Sequence, residues 1–100
     1  MISFRILPPT DMALEIAARL KSRRLAQQLT QEGLARRSGV PLGTLKKFER
    51  SGRIAFVSFI RLAVALKDEG ALDKLLLEEQ ISSLDELLER DKRPQRGRIK

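Results

Sequence analysis

The sequence predicts an all-α domain, and three observations carry that prediction. The stretch TQEGLARRSGVPLGTLKKFERSG, residues 30–52, reads as two short helices around a glycine-marked turn. Upstream, Ala13, Ile16, Ala17, Leu20 and Arg24 recur at helical spacing. Downstream, AFVSFIRLAVAL is apolar nearly all round and is followed by leucine-striped acidic segments.

Taken in order, Ile2, Phe4 and Ile6 alternate on one face until Pro8 and Pro9 stop them, which is the pattern of a short strand. Such a strand needs a partner, either its own copy across a dimer axis or another chain; a frayed terminus is the alternative. Thr10 or Asp11 is positioned to cap a long first helix running to about Leu29, with Ala13, Ile16, Ala17, Leu20 and Arg24 facing inward. Thr30 caps the second helix through the Gly33 N–H, and Glu32 sits at the positive end of its dipole. Leu34 and Ala35 face inward, Gly39 permits a left-handed end, and Val40 plugs the corner.

In the third helix Leu45 and Phe48 share one face, while Gly43, Lys46, Lys47 and Arg50 cluster on the other. A solvated helix usually mixes its charges, yet this outward face holds three cations, no anion and a small residue near its start. A polyanion could approach it closely; the competing reading is an idle basic surface. Glu49, at the packed edge, is placed to pair with Arg24, an arrangement that more often fixes geometry than adds stability.

The following apolar run predicts a buried helix offering Phe56, Phe59, Ile60, Leu62, Ala63 and Leu66 to the core or to a subunit contact. Gly70 separates it from ALDKLLLEEQ, and Ser83 with Glu86 forms a capping box opening SSLDELLER. Leu72, Leu75, Leu76, Ile81, Leu84, Leu87 and Leu88 line these two acidic helices, closing the core or a dimer interface, or docking a different protein. The tail KRPQRGRIK has the composition of a disordered basic arm, for DNA phosphates, an acidic partner surface or solubility alone. The organisation expected is therefore an arm at 1–9, a DNA-binding domain at 10–78, a helical extension at 79–91 and a disordered tail at 92–100.

Charge is segregated. Residues 19–53 carry net +8 and residues 68–91 net −7 within a chain of net +7, which points to two surfaces with different partners. One hundred residues make one domain, small enough that dimerisation adds useful burial. There is no cysteine and no histidine, so a disulfide framework, a thiolate or imidazole metal site and the usual catalytic bases and nucleophiles are ruled out. No metal and no cofactor are expected, and an enzyme is the weakest reading. Glu78 with Glu79, or Asp85 with Glu86, could imitate a carboxylate pair, but neighbours on a helix point about 100° apart. The N-terminus lacks a basic region followed by an apolar core of roughly 7 residues, and no apolar run approaches ~18, so neither export nor membrane insertion is expected. The cytoplasm, in association with the nucleoid, is the expected location.

The run Thr30, Gln31, Glu32, Leu34, Ala35, Gly39, Val40, Thr44, Leu45, Phe48, Glu49 and Gly52 resembles the helix-turn-helix of the phage-repressor-like (XRE) DNA-binding family, over about residues 12–77. The continuation FERSGRIAFVSFIRLAVAL is similar to HipB-like antitoxin repressors, encoded beside HipA-type kinases. The resemblance implies a five-helix, lambda-repressor-like domain that acts as a homodimer, with the helix from about Leu42 to Arg50 in the major groove. It implies that Leu42, Gly43, Lys46 and Lys47 face base edges, that Gln31 and Arg50 bind the DNA backbone, and that Arg24 and Glu49 pair. Arg36, Arg37 and Arg53 are added as further phosphate ligands.

Two departures matter. Pro41 replaces the usual capping serine and lacks a side-chain acceptor, forfeiting ~1 kcal/mol. Leu42 and Gly43 replace residues that often hydrogen-bond bases, leaving direct readout mainly to Lys46 and Lys47, with a thymine methyl for Leu42. The function expected is a sequence-specific repressor on an inverted-repeat operator, the antitoxin of a HipA-like kinase. The alternatives are a module whose main task is to neutralise a partner kinase, and a phage-type repressor with no toxin partner.

Overall fold

The computed structural model describes residues 6–78, and these form five helices. They are α1 (Pro9–Ala26), α2 (Gln31–Ser38), α3 (Leu42–Ser51), α4 (Phe56–Ala65) and α5 (Glu69–Asp73), with no strand among the described residues. Of the expected strand, Ile6 is 3-10 helical and Leu7 lies in a bend, and the rest falls outside the described residues. The helix expected over SSLDELLER and the basic tail at 92–100 also lie outside them.

α1 starts earlier than Thr10 or Asp11 were expected to start it. Pro8 is its N-cap and makes no side-chain cap, and Pro9 occupies the first turn, where a missing N–H costs nothing and φ is already helical. Asp11 then serves as first-turn charge rather than as a cap. The helix also ends sooner, at Ala26 instead of Leu29. Gln28 takes a left-handed φ of 58°, and the Gln28 and Leu29 N–H groups bond Leu25 O at 2.9 Å and Arg24 O at 3.1 Å. This is a Schellman closure with glutamine at the left-handed position.

α1 lies against α3, and α2 contacts both α3 and α4. The core they enclose consists of Ala17, Leu20, Leu34, Val40, Leu45, Phe48, Leu62 and Leu66, with Ile16, Leu29, Ala35, Ile54, Phe59 and Ala65 packed on it. Phe48 and Phe59 meet edge to face, with ring centroids 5.8 Å apart and planes at 64°. The predicted α1 stripe is borne out: Ala17, Leu20 and Arg24 are buried and Ala13 and Ile16 half-buried.

α4 is not buried all round. Leu62, Ala63 and Leu66 are buried and Phe59 and Ile60 half-buried, whereas Phe56, Val57 and Val64 are exposed. Its neighbours, α2 and α5, cover only part of its circumference. Nor does Gly70 break the chain: it lies inside α5. The break is at Lys67, whose φ is 64°, where the Lys67 and Asp68 N–H groups bond Val64 O at 2.9 Å and Ala63 O at 2.8 Å, a second Schellman closure without glycine. Among the leucines expected to close the core, Leu72 is half-buried but Leu75 and Leu76 are exposed, because α5 ends at Asp73 before they can turn inward. No helix of the described residues is long and apolar enough to cross a membrane.

Candidate nucleic-acid interface

The α2–α3 corner is built by local chemistry. The Gly33 N–H donates to Thr30 Oγ1 at 2.9 Å, closing the predicted cap. α2 ends on Gly39 at φ 76°, whose N–H reaches Ala35 O at 2.9 Å. Ser38 Oγ accepts the Val40 N–H at 3.1 Å, and Val40 is buried in the corner. Pro41 supplies the N-cap of α3 in an extended conformation and, as its chemistry requires, no side-chain bond.

α3 then divides as its sequence predicts. Leu45 and Phe48 are buried, while Gly43, Lys46, Lys47 and Arg50 are exposed on the opposite face and Leu42 is half-buried at its start. Nothing lies within 4 Å of where a Gly43 Cβ would stand. The outer surface of α3 is therefore cationic along its length and bare near its N-terminus, where a groove edge could come close to the backbone.

The orientation of that face is set from behind by a buried polar network. Arg24 Nε and Nη2 donate to the two Glu49 carboxylate oxygens at 2.8 and 3.1 Å, and Arg24 Nη1 donates to Leu29 O at 2.8 Å. Gln31 Nε2 adds a donation to Glu49 Oε1 at 3.0 Å. The Arg24 and Glu49 side chains are 7% and 5% exposed, and no buried side-chain nitrogen or oxygen among the described residues lacks a partner. One bidentate, charge-assisted pair thus joins α1 to α3, with the start of α2 tied to the same carboxylate. The Arg24–Glu49 pair was legible in the helical wheel. The contribution of Gln31 was not, since a side chain that bonds across 18 residues leaves no local pattern.

The other expected phosphate ligands surround α3. Arg36 and Arg37 are exposed on the last turn of α2, and Arg53 is exposed just beyond the α3 C-cap, Gly52, with its N–H on Ser51 Oγ at 3.2 Å. Gln31 is half-buried, so one of its two amide N–H groups faces inward to Glu49. Two further ties were not foreseen: Arg23 bonds Asp68 at 2.9 Å, and Gln27 donates to Leu66 O at 2.8 Å, pinning α1 to the end of α4. Among the described residues no group of carboxylates is arranged to hold a metal ion.

A comparison with protein-family models matches residues 20–67 to the family described as helix-turn-helix. Residues 20–67 are thus similar to helix-turn-helix domains of the XRE type. The match begins midway along α1 and ends at the Lys67 turn after α4, so it takes in the Arg24–Glu49 pair, the Gly39 corner and the whole of α3. On that match α2 and α3 correspond to the two helices of a helix-turn-helix, with α3 in the place of the recognition helix. No curated protein matches the sequence.

Proposed function

We propose that the chain is a sequence-specific transcriptional repressor that binds an inverted-repeat operator as a homodimer, and that it is the antitoxin of a HipA-like kinase whose operon it regulates. The observation that carries the DNA reading is the outward face of α3: Lys46, Lys47 and Arg50 exposed together beside a bare Gly43, on a helix clamped from behind through Glu49. Lys46 and Lys47 read guanine O6 and N7, and Leu42 meets a thymine methyl. Gln31, Arg36, Arg37, Arg50 and Arg53 hold phosphates and set the register. Two recognition helices about 34 Å apart require half-sites one turn apart, and occupancy over a promoter excludes polymerase.

The test is operator binding as a function of salt and of single substitutions. With several phosphate contacts per subunit, each contributing about −0.9 to the slope of log K against log salt, affinity falls by orders of magnitude over a modest salt increase. Lys47→Ala is expected to cost ~1–3 kcal/mol and to relax preference at one base position, whereas Arg50→Ala weakens all sequences alike. A flat salt curve removes the phosphate reading, and equal losses on every sequence for both variants remove Lys47 from base readout.

Gly43→Ala separates folding from recognition. An alanine here has nothing from the rest of the fold within 4 Å and replaces a glycine in the first turn of α3, so the fold gains at most about 0.5–1 kcal/mol. The same methyl stands on the groove-facing surface and is expected to weaken or redirect operator binding. Unchanged affinity and preference would place the groove elsewhere.

The antitoxin reading rests on the resemblance of FERSGRIAFVSFIRLAVAL to HipB-like repressors, and the net −7 of residues 68–91 supports a second partner other than DNA. Lys46→Glu combined with Lys47→Glu is expected to abolish operator binding while leaving kinase binding intact. Loss of both would merge the two surfaces into one.

A further inference from the structure

The outward face of α3 can donate hydrogen bonds but cannot accept them. Lys46 and Lys47 carry ammonium groups and Arg50 a guanidinium, all donors without an acceptor atom, and Gly43 beside them has no side chain. These four residues are exposed, and half-buried Leu42 adds only hydrocarbon at the start of the helix. The acceptors that α3 does possess are engaged or stand aside. Both oxygens of Glu49, the one carboxylate of α3, accept from Arg24, Gln31 adds a third bond, and the side chain is 5% exposed. Ser51 Oγ donates to Lys47 O at 2.6 Å and accepts the Arg53 N–H at 3.2 Å. Thr44 is half-buried and, one residue on from Gly43, lies about 100° round the helix.

Base edges divide by the same chemistry. In the major groove guanine offers two acceptors, N7 and O6, and thymine offers the O4 acceptor with a methyl group. The cytosine amino group is a donor, and adenine sets an amino donor beside its N7 acceptor. Reading adenine takes a side chain with donor and acceptor together, an amide, and reading cytosine takes an acceptor such as a carboxylate. α3 presents neither outward. A lysine or arginine brought against an amino group leaves both donors without an acceptor where water has been displaced, so these edges are rejected as well as unread.

We infer that the bases whose edges α3 reads directly are guanine and thymine alone, guanine opposite Lys46 and Lys47 and thymine opposite Leu42, and that adenine and cytosine are selected against at those positions. This rests on the DNA reading of α3 and adds to it the part of specificity that comes from rejection. The buried fork on Glu49 then has a second consequence besides setting the angle of α3: it withholds the carboxylate of that helix from the groove. An adenine preferred elsewhere in the operator is chosen through the shape and deformability of the duplex rather than through its amino group and N7.

Base analogues test this without altering the protein. The full-length chain first selects its preferred duplex from a randomised library, and single bases of that duplex are then replaced in turn. 7-Deazaguanine, which lacks the N7 acceptor, is expected to lower affinity about fivefold or more at the guanines under Lys46 and Lys47. Deoxyuridine, which lacks the methyl group, is expected to lower it about threefold at the thymine under Leu42. 7-Deazaadenine is expected to leave affinity unchanged at every position. Leu42→Gln, which supplies an amide able to bridge the adenine amino group and N7, is expected to switch the preferred base at its position from thymine to adenine. Affinity lost on 7-deazaadenine, or guanines indifferent to the loss of N7, overturns the inference while sequence-specific binding stands, and a Leu42→Gln variant that still prefers thymine does the same. A library that yields no preferred sequence overturns both the inference and the DNA reading beneath it.

Discussion

Glu49→Ala is expected to lower the stability of the fold by about 3–5 kcal/mol, the cost of leaving a buried charge without its partner. Arg24 would keep its bond to Leu29 O but lose both carboxylate oxygens, and Gln31 would lose the same acceptor. Small domains hold only ~5–15 kcal/mol in total, so a large share of the folded population is at stake. At roughly 4–8 °C per kcal/mol for a chain of this size, thermal melting should move down by at least ~12 °C. Replacing both partners, Arg24→Met with Glu49→Leu, removes the stranded charge and is expected to recover much of the loss, although Gln31 and the Leu29 carbonyl remain short of a partner. The double variant should recover stability without recovering full operator affinity, because the α1–α3 angle is no longer set by a bidentate fork. Equal stability of Glu49→Ala and the parent in calorimetry would show that the pair contributes nothing to holding α3.

Gly52→Ala is the second large effect. A Cβ at this position would stand 2.8 Å from the Ala13 carbonyl carbon and 3.0 Å from both its oxygen and its Cβ, and the φ of 78° is itself unfavourable for alanine. Backbone in the middle of a helix cannot move aside as a side-chain tip can, so α3 must tilt away from α1. The left-handed term is about 1–2 kcal/mol and forced overpacking about 1–3 kcal/mol, together ~2–5 kcal/mol. Gly39→Ala provides the internal control: φ is 76°, but nothing lies within 4 Å, so only the first term applies. Chemical denaturation of both variants separates the two terms, and equal losses would show that the α1–α3 contact at Gly52 is not tight. Gly52→Ala should also reduce operator affinity beyond its cost in stability, since the recognition helix is displaced while Lys46 and Lys47 remain intact.

How much of this was readable beforehand depends on how local the cause is. Thr30 and Gly39 act within a few residues of themselves, and the cap and the turn they predict stand where expected. The inner and outer faces of α3 follow from helical periodicity alone, since Leu45 and Phe48 have only one side on which to be buried. The two misplaced helix ends share one physical reason. At Gln28 and Lys67 the helices close through the same left-handed geometry as at glycine, but with residues that carry no such signature. There the strain of a positive φ is offset by the hydrogen bonds of the closure, by Leu29 packing on the core and by Asp68 reaching Arg23. Those contacts come from other elements of the fold.

The order of helices, the corner chemistry and the cationic outer face of α3 are properties of short stretches of residues, and each would be the same in any compact arrangement of this chain. The angle at which that face is presented is different in kind. It arises where Arg24, Leu29, Gln31 and Glu49 converge and where Gly52 lets α3 touch the backbone of α1, and these residues meet only once the helices have packed. The partial exposure of α4 belongs with that second group, because burial is a property of neighbours in space, and a run of apolar letters does not specify how many neighbours it will find.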